Sequence, residues 1–181
     1  MWSRPWPIIR QRLITSKEKV RNGREKQEIW FLKKKNLLGQ ASAASKVKLK
    51  VADHCALTEK YARAIEIYEE TGIAYLANNL LKYSAKNLFF QAGICHLCSE
   101  DLVAAKRAVE RYQDLDVTFS TQRECKFLLK LIECCEAYNS DGLTLAVRDF
   151  NQITPLDNWK TTLLLRVKNS IGNAGQNEDL T

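Results

Sequence analysis

Three segments of the chain follow one formula. AIEIY (Ala64 to Tyr68), AVERY (Ala108 to Tyr112) and AVRDF (Ala146 to Phe150) all read Ala-[Ile/Val]-x-x-aromatic, at spacings of 44 and 38 residues. Residues four apart share a helical face, so a neighbouring helix can approach closely over the alanine while the ring fills the gap beside it. Repetition near 40 residues, one helix pair each, is the mark of stacked helical hairpins. The 181 residues hold only 3 Pro and 7 Gly, too few for an all-β chain that must turn every 8–12 residues. An all-α fold is expected.

The apolar pattern supports this. Leu81, Ala85, Leu88, Ala92 and Cys95 fall on one helical stripe; Leu128, Leu131, Cys135 and Tyr138 make another, joined by Phe127 and Cys134; Leu163, Val167 and Ile171 make a third. The stretch KVKLKVAD alternates like a strand, but its Ala-rich surroundings and lack of turn residues favour a helix. Its apolar face would be Ala44, Val47, Val51 and Cys55, with Lys46, Lys50 and Asp53 opposite. Breaks are expected near Thr71–Gly72, Ser99–Asp101, Asp114–Ser120, Asn139–Gly142 and Thr154–Pro155, with Ser120 and Asp157 as N-caps. The period suits a tetratricopeptide-like (TPR-like) solenoid of antiparallel helix pairs, whose extended surface binds other proteins.

The formal charge of +7 is unevenly spread. Residues 1–50 hold 14 Lys/Arg against Glu18, Glu25 and Glu28, whereas residues 51–181 hold 14 Lys/Arg against 18 acids. Such asymmetry suggests a basic arm on a mildly acidic body. Residues 1–16 show no helical period and are expected to be poorly ordered; a helix fits Ser16 to Leu38. Within it, Ile29-Trp30-Phe31-Leu32 before Lys33-Lys34-Lys35 reads as aromatics packed on the next helix, or as a segment lying on an acidic membrane. No apolar run approaches a membrane span, and the start lacks the apolar h-region of a secretory signal. Its Arg-rich, acid-free beginning is compatible with a mitochondrial presequence. Without a secretory route the 6 Cys are expected to be reduced.

Enzymatic chemistry has little to work with. There is no GxGxxG, no P-loop and no nucleophile elbow, and the two histidines, His54 and His96, have no acid at an orienting spacing. Cys95-His96-Leu97-Cys98 has the C-x-x-C form of a zinc site, with Cys125, Cys134 and Cys135 as candidate further ligands. These cysteines lie on apolar stripes, so small buried hydrophobes explain them better. What remains is a scaffold with charged faces: Lys82 and Lys86 one turn apart, and Lys126, Lys130, Glu133 and Glu136 on the side away from Leu128 and Leu131.

Three long segments, LLKYSAKNLFFQAGICHLC (Leu80 to Cys98), FSTQRECKFLLKL (Phe119 to Leu131) and TPLDNWKTTLLLRVK (Thr154 to Lys168), resemble the C-terminal half of the α/β-type soluble NSF attachment proteins, the SNAP adaptors. The wording is nearest to plant members. The likeness runs from Ser42 to Thr181 and ends with the family's acidic-acidic-Leu tail. It implies a twisted sheet of antiparallel helices, TPR-like over 42–175, with a C-terminal helical bundle and a flexible tail at 176–181. Such adaptors are not enzymes; no cofactor and no metal is implied. They bind the SNARE complex left after membrane fusion and recruit the AAA ATPase NSF, working in the cytoplasm and peripherally on membranes. Basic residues matching the SNARE-binding positions are Lys46, Lys86 and Arg123. Those matching the NSF-binding positions are Glu100, Glu133, Glu136, Glu178 and Asp179, with Leu180 at the penultimate place that stimulates ATP hydrolysis.

Residues 1–41 match nothing in that family, Ala137 stands where the family usually has an acid, and the tail has fewer acids than usual. A shortened adaptor is expected, one that binds NSF yet grips SNAREs poorly and acts as a competitor. The alternative is a generic TPR-like interaction scaffold whose basic arm binds a membrane surface or nucleic acid; the acidic body lacks an aromatic-basic platform, so no nucleic acid is expected.

Overall fold

A computed structural model describes residues 43–178, with side chains described through residue 173. The chain divides into two compact units, Met1–Lys46 and Val47–Thr181. The basic arm, the helix expected over Ser16 to Leu38 and the Ile29–Lys35 segment lie outside the described residues.

Among the described residues every regular element is helical. Helix α1 covers 43–57. It is followed by α2 (Tyr61–Leu76), α3 (Lys82–Cys98), α4 (Leu102–Leu115), a 3-10 turn (Phe119–Thr121), α5 (Arg123–Glu136), α6 (Ser140–Ile153) and α7 (Asn158–Glu178). KVKLKVAD is helical, as the composition of its neighbourhood suggests. Its buried face differs from the expected stripe: Val47 and Val51 are exposed, while Ala52 and Ala56 are buried with Leu49 against them. Asp53 joins that packed side because it is satisfied there, accepting from the Tyr68 hydroxyl at 2.5 Å and from Gln91 at 3.5 Å. A carboxylate with donors arriving from two other helices can leave water without leaving hydrogen bonds unmade.

All three recurrent motifs place an alanine beside a buried ring. Ala64 and Tyr68 are buried, as are Ala108 and Tyr112; Ala146 is half-buried before buried Phe150. Tyr68 meets Trp159 edge-on at 5.9 Å, Tyr112 stacks on Phe89 at 4.8 Å, and Phe150 stacks on Phe127 at 4.2 Å. Each ring therefore bridges to a different helix. These contacts form separate aromatic clusters at different helix junctions.

α3 lies at the centre, packed against α2, α4, α5 and α7. The expected stripe from Ala85 to Cys95 is buried, but so are Phe89, Phe90, Gly93, Ile94 and Leu97 around the rest of the helix. α7 departs from a simple stack. Trp159 Nε1 donates to the Asp53 carbonyl at 3.1 Å, and Arg166 reaches the carbonyls of Ala56 and Leu57 at 3.2 and 2.8 Å. The last helix thus closes against α1, and Leu163, Val167 and Ile171 are buried.

The break expected at Thr71–Gly72 is absent, because α2 runs unbroken to Leu76. Gly72 serves a close approach: a Cβ there would sit 2.8 Å from the Phe89 ring. The break instead falls after Leu76. Asp157 caps α7 through the Lys160 amide at 2.8 Å. Ser120 does not cap α5; it lies in the 3-10 turn and donates to the Val117 carbonyl, leaving Gln122 as the residue before the helix. The caps missed in the sequence are Asp101 on α4 and Asn139 on α6.

The helix-pair turns repeat a device. After α1, α3 and α5 comes one non-glycine residue with positive φ: Glu59 at 64°, Glu100 at 62° and Tyr138 at 49°. Each is followed directly by the N-cap residue of the next helix: Lys60, Asp101 and Asn139. A left-handed residue here lets the chain end one helix by satisfying its last carbonyls, as Glu59 does to Ala56 and Tyr138 to Cys135. This reversal turns Tyr138 outward, 54% exposed, although its spacing had placed it on the buried stripe of α5.

Candidate functional site

Two basic side chains come together where α3 and α5 begin. Lys86, on the second turn of α3, places Nζ 3.0 Å from Glu124 Oε1 and 3.3 Å from Gln122 Oε1. Both partners adjoin Arg123, the first residue of α5. Arg123 is exposed, with its guanidinium 5.7 Å from the Phe150 ring and Nη1 3.4 Å from Thr154 Oγ1. Lys86 is only partly accessible: its side chain is 34% exposed and it neutralises a nearly buried Glu124. Lys82 is exposed one turn before it. Lys46 is exposed and belongs to the other compact unit.

The basic corner has apolar company that the sequence reading did not single out. Leu80 and Tyr83 are 83% and 82% exposed. Helical periodicity gave no sign of them, because Leu80 precedes the helix and Tyr83 falls outside the Leu81–Ala85–Leu88 stripe. Large apolar groups left in water beside cations suit a partner with both charge and apolar surface.

The acidic candidates gather elsewhere. Glu133 and Glu136 are exposed on the last turns of α5, and Glu100 is exposed at the α3–α4 turn. Each of the α5 acids is already paired. Glu133 Oε2 lies 2.6 Å from Lys130 Nζ on its own helix, and Glu136 Oε1 lies 2.5 Å from Lys106 Nζ on α4. The hydrogen bond from Lys130 holds the Glu133 carboxyl below its ordinary value and raises Lys130 above its own. Helical structure in α7 extends to Glu178, whose side chain is not described; Asp179 and Leu180 lie outside the described residues.

A third polar cluster is half-buried. Glu69 of α2 accepts from Tyr112 at 2.5 Å, pairs with Arg111 and faces His96 Nε2 at 3.5 Å. Burial alone would raise its carboxyl, but His96, Tyr112 and Arg111 reverse this and hold it down to about 2. His96 Nε2, 3.5 Å away, makes no well-formed hydrogen bond among the described residues. This cluster ties three helices together, and its acid was invisible at sequence level because it lies 27 residues from His96. Among the described residues no group of three or more His, Cys, Asp or Glu is arranged to hold a metal ion. Cys95, Cys125, Cys134 and Cys135 are all buried. No helix among the described residues is long and apolar enough to cross a membrane.

Fold and surface together define a helical-repeat scaffold that displays charged side chains at its turns and spends its interior polar groups on packing. A model of the soluble NSF attachment protein (SNAP) family matches residues 30–172, reaching upstream of Ser42. The chain is 48% identical over 139 residues to the alpha-soluble NSF attachment protein of Homo sapiens, covering 77% of this chain and 46% of that relative. It is also 48% identical over 130 residues to the one of Vitis vinifera, covering 72% and 45%. A probable vesicular-fusion protein sec17 homolog of Schizosaccharomyces pombe is 38% identical over 143 residues, covering 78% and 49%. The chain belongs to the SNAP family, whose members are adaptors and not enzymes. It spans less than half the length of these relatives.

Proposed function

We propose that the chain is a SNAP-type adaptor in vesicle fusion, joining an acidic helical SNARE assembly to the ATPase NSF. Its basic corner, Lys86 and Arg123 with Lys82, Leu80 and Tyr83 beside them, meets the SNARE complex; Lys46, in the other compact unit, is a separate candidate for contact with it. Its acidic set, Glu100, Glu133, Glu136, Glu178 and Asp179, with Leu180, meets NSF. The protein acts in the cytoplasm, peripherally at membranes.

The observation that carries this reading is the charge order along α5. Arg123 opens the helix beside Glu124, an acid that Lys86 already neutralises, while Glu133 and Glu136 stand near its end and no basic residue occupies the last turn. The helix macrodipole favours the reverse order, acids first and bases last, by about 0.3–1 kcal/mol per charge. α3 likewise opens on Lys82 with no acid in its first turn. Placements that cost helix stability are explained by an outside partner. The same helix keeps the two surfaces roughly 15–20 Å apart, at 1.5 Å per residue.

Binding through such exposed charges is weak per contact and salt-sensitive, about 0.2–1 kcal/mol each, so several must act together. Capture of purified NSF by the full chain and by a form ending at residue 175 tests the proposal. Capture should fall sharply in the shortened form. Equal capture by both would remove the tail from the NSF contact, and loss of all capture by the full chain would end the adaptor reading.

A further inference from the structure

The outer groove between α4 and α5 is lined by Lys106, Glu110, Lys126, Leu129, Lys130, Glu133 and Glu136. It holds three lysines and three glutamates, so a face assigned to a basic partner carries no net charge. Two of the three lysines sit directly on the two candidate acids: Lys130 on Glu133 at 2.6 Å and Lys106 on Glu136 at 2.5 Å. The third, Lys126, is exposed and makes no ion pair among the described residues. Ala137, next in the chain, adds no charge.

We propose that Lys106 and Lys130 are built-in competitors: they occupy the carboxylates of Glu136 and Glu133 and limit how tightly a basic protein surface can bind there. This rests on the adaptor reading of the acidic face. An arriving arginine must displace a lysine already in contact, so each new pair formed is offset by one broken. The net gain is the difference between Arg–carboxylate and Lys–carboxylate pairing. Neutrality also removes long-range attraction, which slows encounter. Glu136 is further held because its lysine comes from another helix and so does not move with it.

The prediction concerns affinity for NSF measured with the full chain, at low salt and at physiological ionic strength. Lys106→Ala with Lys130→Ala frees two carboxylates and should tighten binding about three- to tenfold at low salt, with a steeper loss on adding salt. These pairs are solvent-exposed, so the variant folds; its melting curve verifies this. Lys126→Ala removes the same single charge from the groove as Lys106→Ala or Lys130→Ala alone, without freeing an acid, and should tighten binding much less than either of those single variants. If the double variant binds as the parent does, or more weakly, the lysines are not competitors. Equal tightening by Lys126→Ala would make the effect one of general field and overturn the proposal. Glu133→Ala with Glu136→Ala separates the two levels: weaker binding keeps the acidic site whatever the lysines do. Unchanged binding removes the site and this inference with it.

Discussion

Tyr112 of α4 donates its hydroxyl hydrogen to Glu69 of α2 at 2.5 Å, across 43 residues of sequence. Arg111, the residue before Tyr112, pairs with the same carboxylate. A half-buried acid with two donors from one helix and a histidine from another is a pin through three layers. Its ionised form is the one the fold stabilises, since the carboxyl is held at about 2 against an ordinary 4.5.

The stability this pin supplies is therefore complete above about pH 4.5 and is lost as pH falls towards 2. Glu69→Gln keeps the shape but removes the charge. At neutral pH it should cost about 1–3 kcal/mol, the penalty for weakening a partly buried charged network. Melting followed by circular dichroism between pH 2.5 and 7 should show the parent losing stability on acidification more steeply than the variant. Parallel curves would mean that Glu69 is not the group responsible.

Glycine positions offer a test of the packing with an internal control. A Cβ on Gly93 would lie 2.6 Å from Leu128 Cδ1, and Leu128 is fully buried with nowhere to retreat. Gly93→Ala should destabilise by about 1–3 kcal/mol through overpacking of α3 on α5. A Cβ on Gly172 meets nothing within 4 Å in α7, so Gly172→Ala should stabilise by about 0.5–1 kcal/mol through helix propensity. Urea unfolding of both variants checks the pair. Similar effects from the two would contradict the close contact at Gly93.

Charge reversal in the basic corner must respect what each cation already does. Lys86 neutralises Glu124, which is 8% exposed, so Lys86→Glu would press two carboxylates together and lower stability by about 3–5 kcal/mol. Arg123 is exposed and makes no ion pair among the described residues, so Arg123→Glu should keep or slightly raise the melting temperature, since an acid suits the start of α5, and weaken SNARE-complex binding several-fold at low salt. Calorimetry and binding measured on both variants separate folding from recognition. Undiminished binding by folded Arg123→Glu would take that residue off the surface.

Local rules of the sequence made much of this fold legible. The Ala-x-x-x-aromatic recurrence located three buried rings, because close helix approach needs a small residue wherever a large one intrudes. Spacing alone misplaced Val47 and Val51, since a helix with apolar residues on two sides can turn either of them inward. The choice went to the face where Tyr68 and Gln91 satisfy Asp53. Gly72 looked like a break because a glycine that ends a helix and one that admits Phe89 are written alike. Tyr138 left its stripe because the backbone changes hand there. At the candidate site, residue identity marked Lys86, Arg123, Glu133 and Glu136. The pairing of Lys106 with Glu136 and Glu69's ties to His96 and Tyr112 depend on which helices meet, information that no single segment holds.

The C-x-x-C segment gives the last prediction. Within α3, Cys95 is fully buried and Cys98 donates from Sγ to the Leu163 carbonyl at 3.5 Å, so the two thiols serve the packing of α3 on its neighbours. Burial pushes the Cys98 thiol up to about 12 and Cys135 up to about 11, and raises Cys95 as well. A thiol reacts through its thiolate, so at pH 8 these side chains hold a negligible nucleophilic fraction compared with an ordinary cysteine near 8.5. Alkylation of the native chain by iodoacetamide should therefore be at least about a hundredfold slower at Cys95, Cys98 and Cys135 than after unfolding in guanidinium. Peptide mapping by mass spectrometry reads each site separately. Prompt modification of Cys98 and Cys135 in the folded chain would show that α3, α5 and α7 do not hold these thiols in the interior, and the packing of α7 across the stack would have to be redrawn.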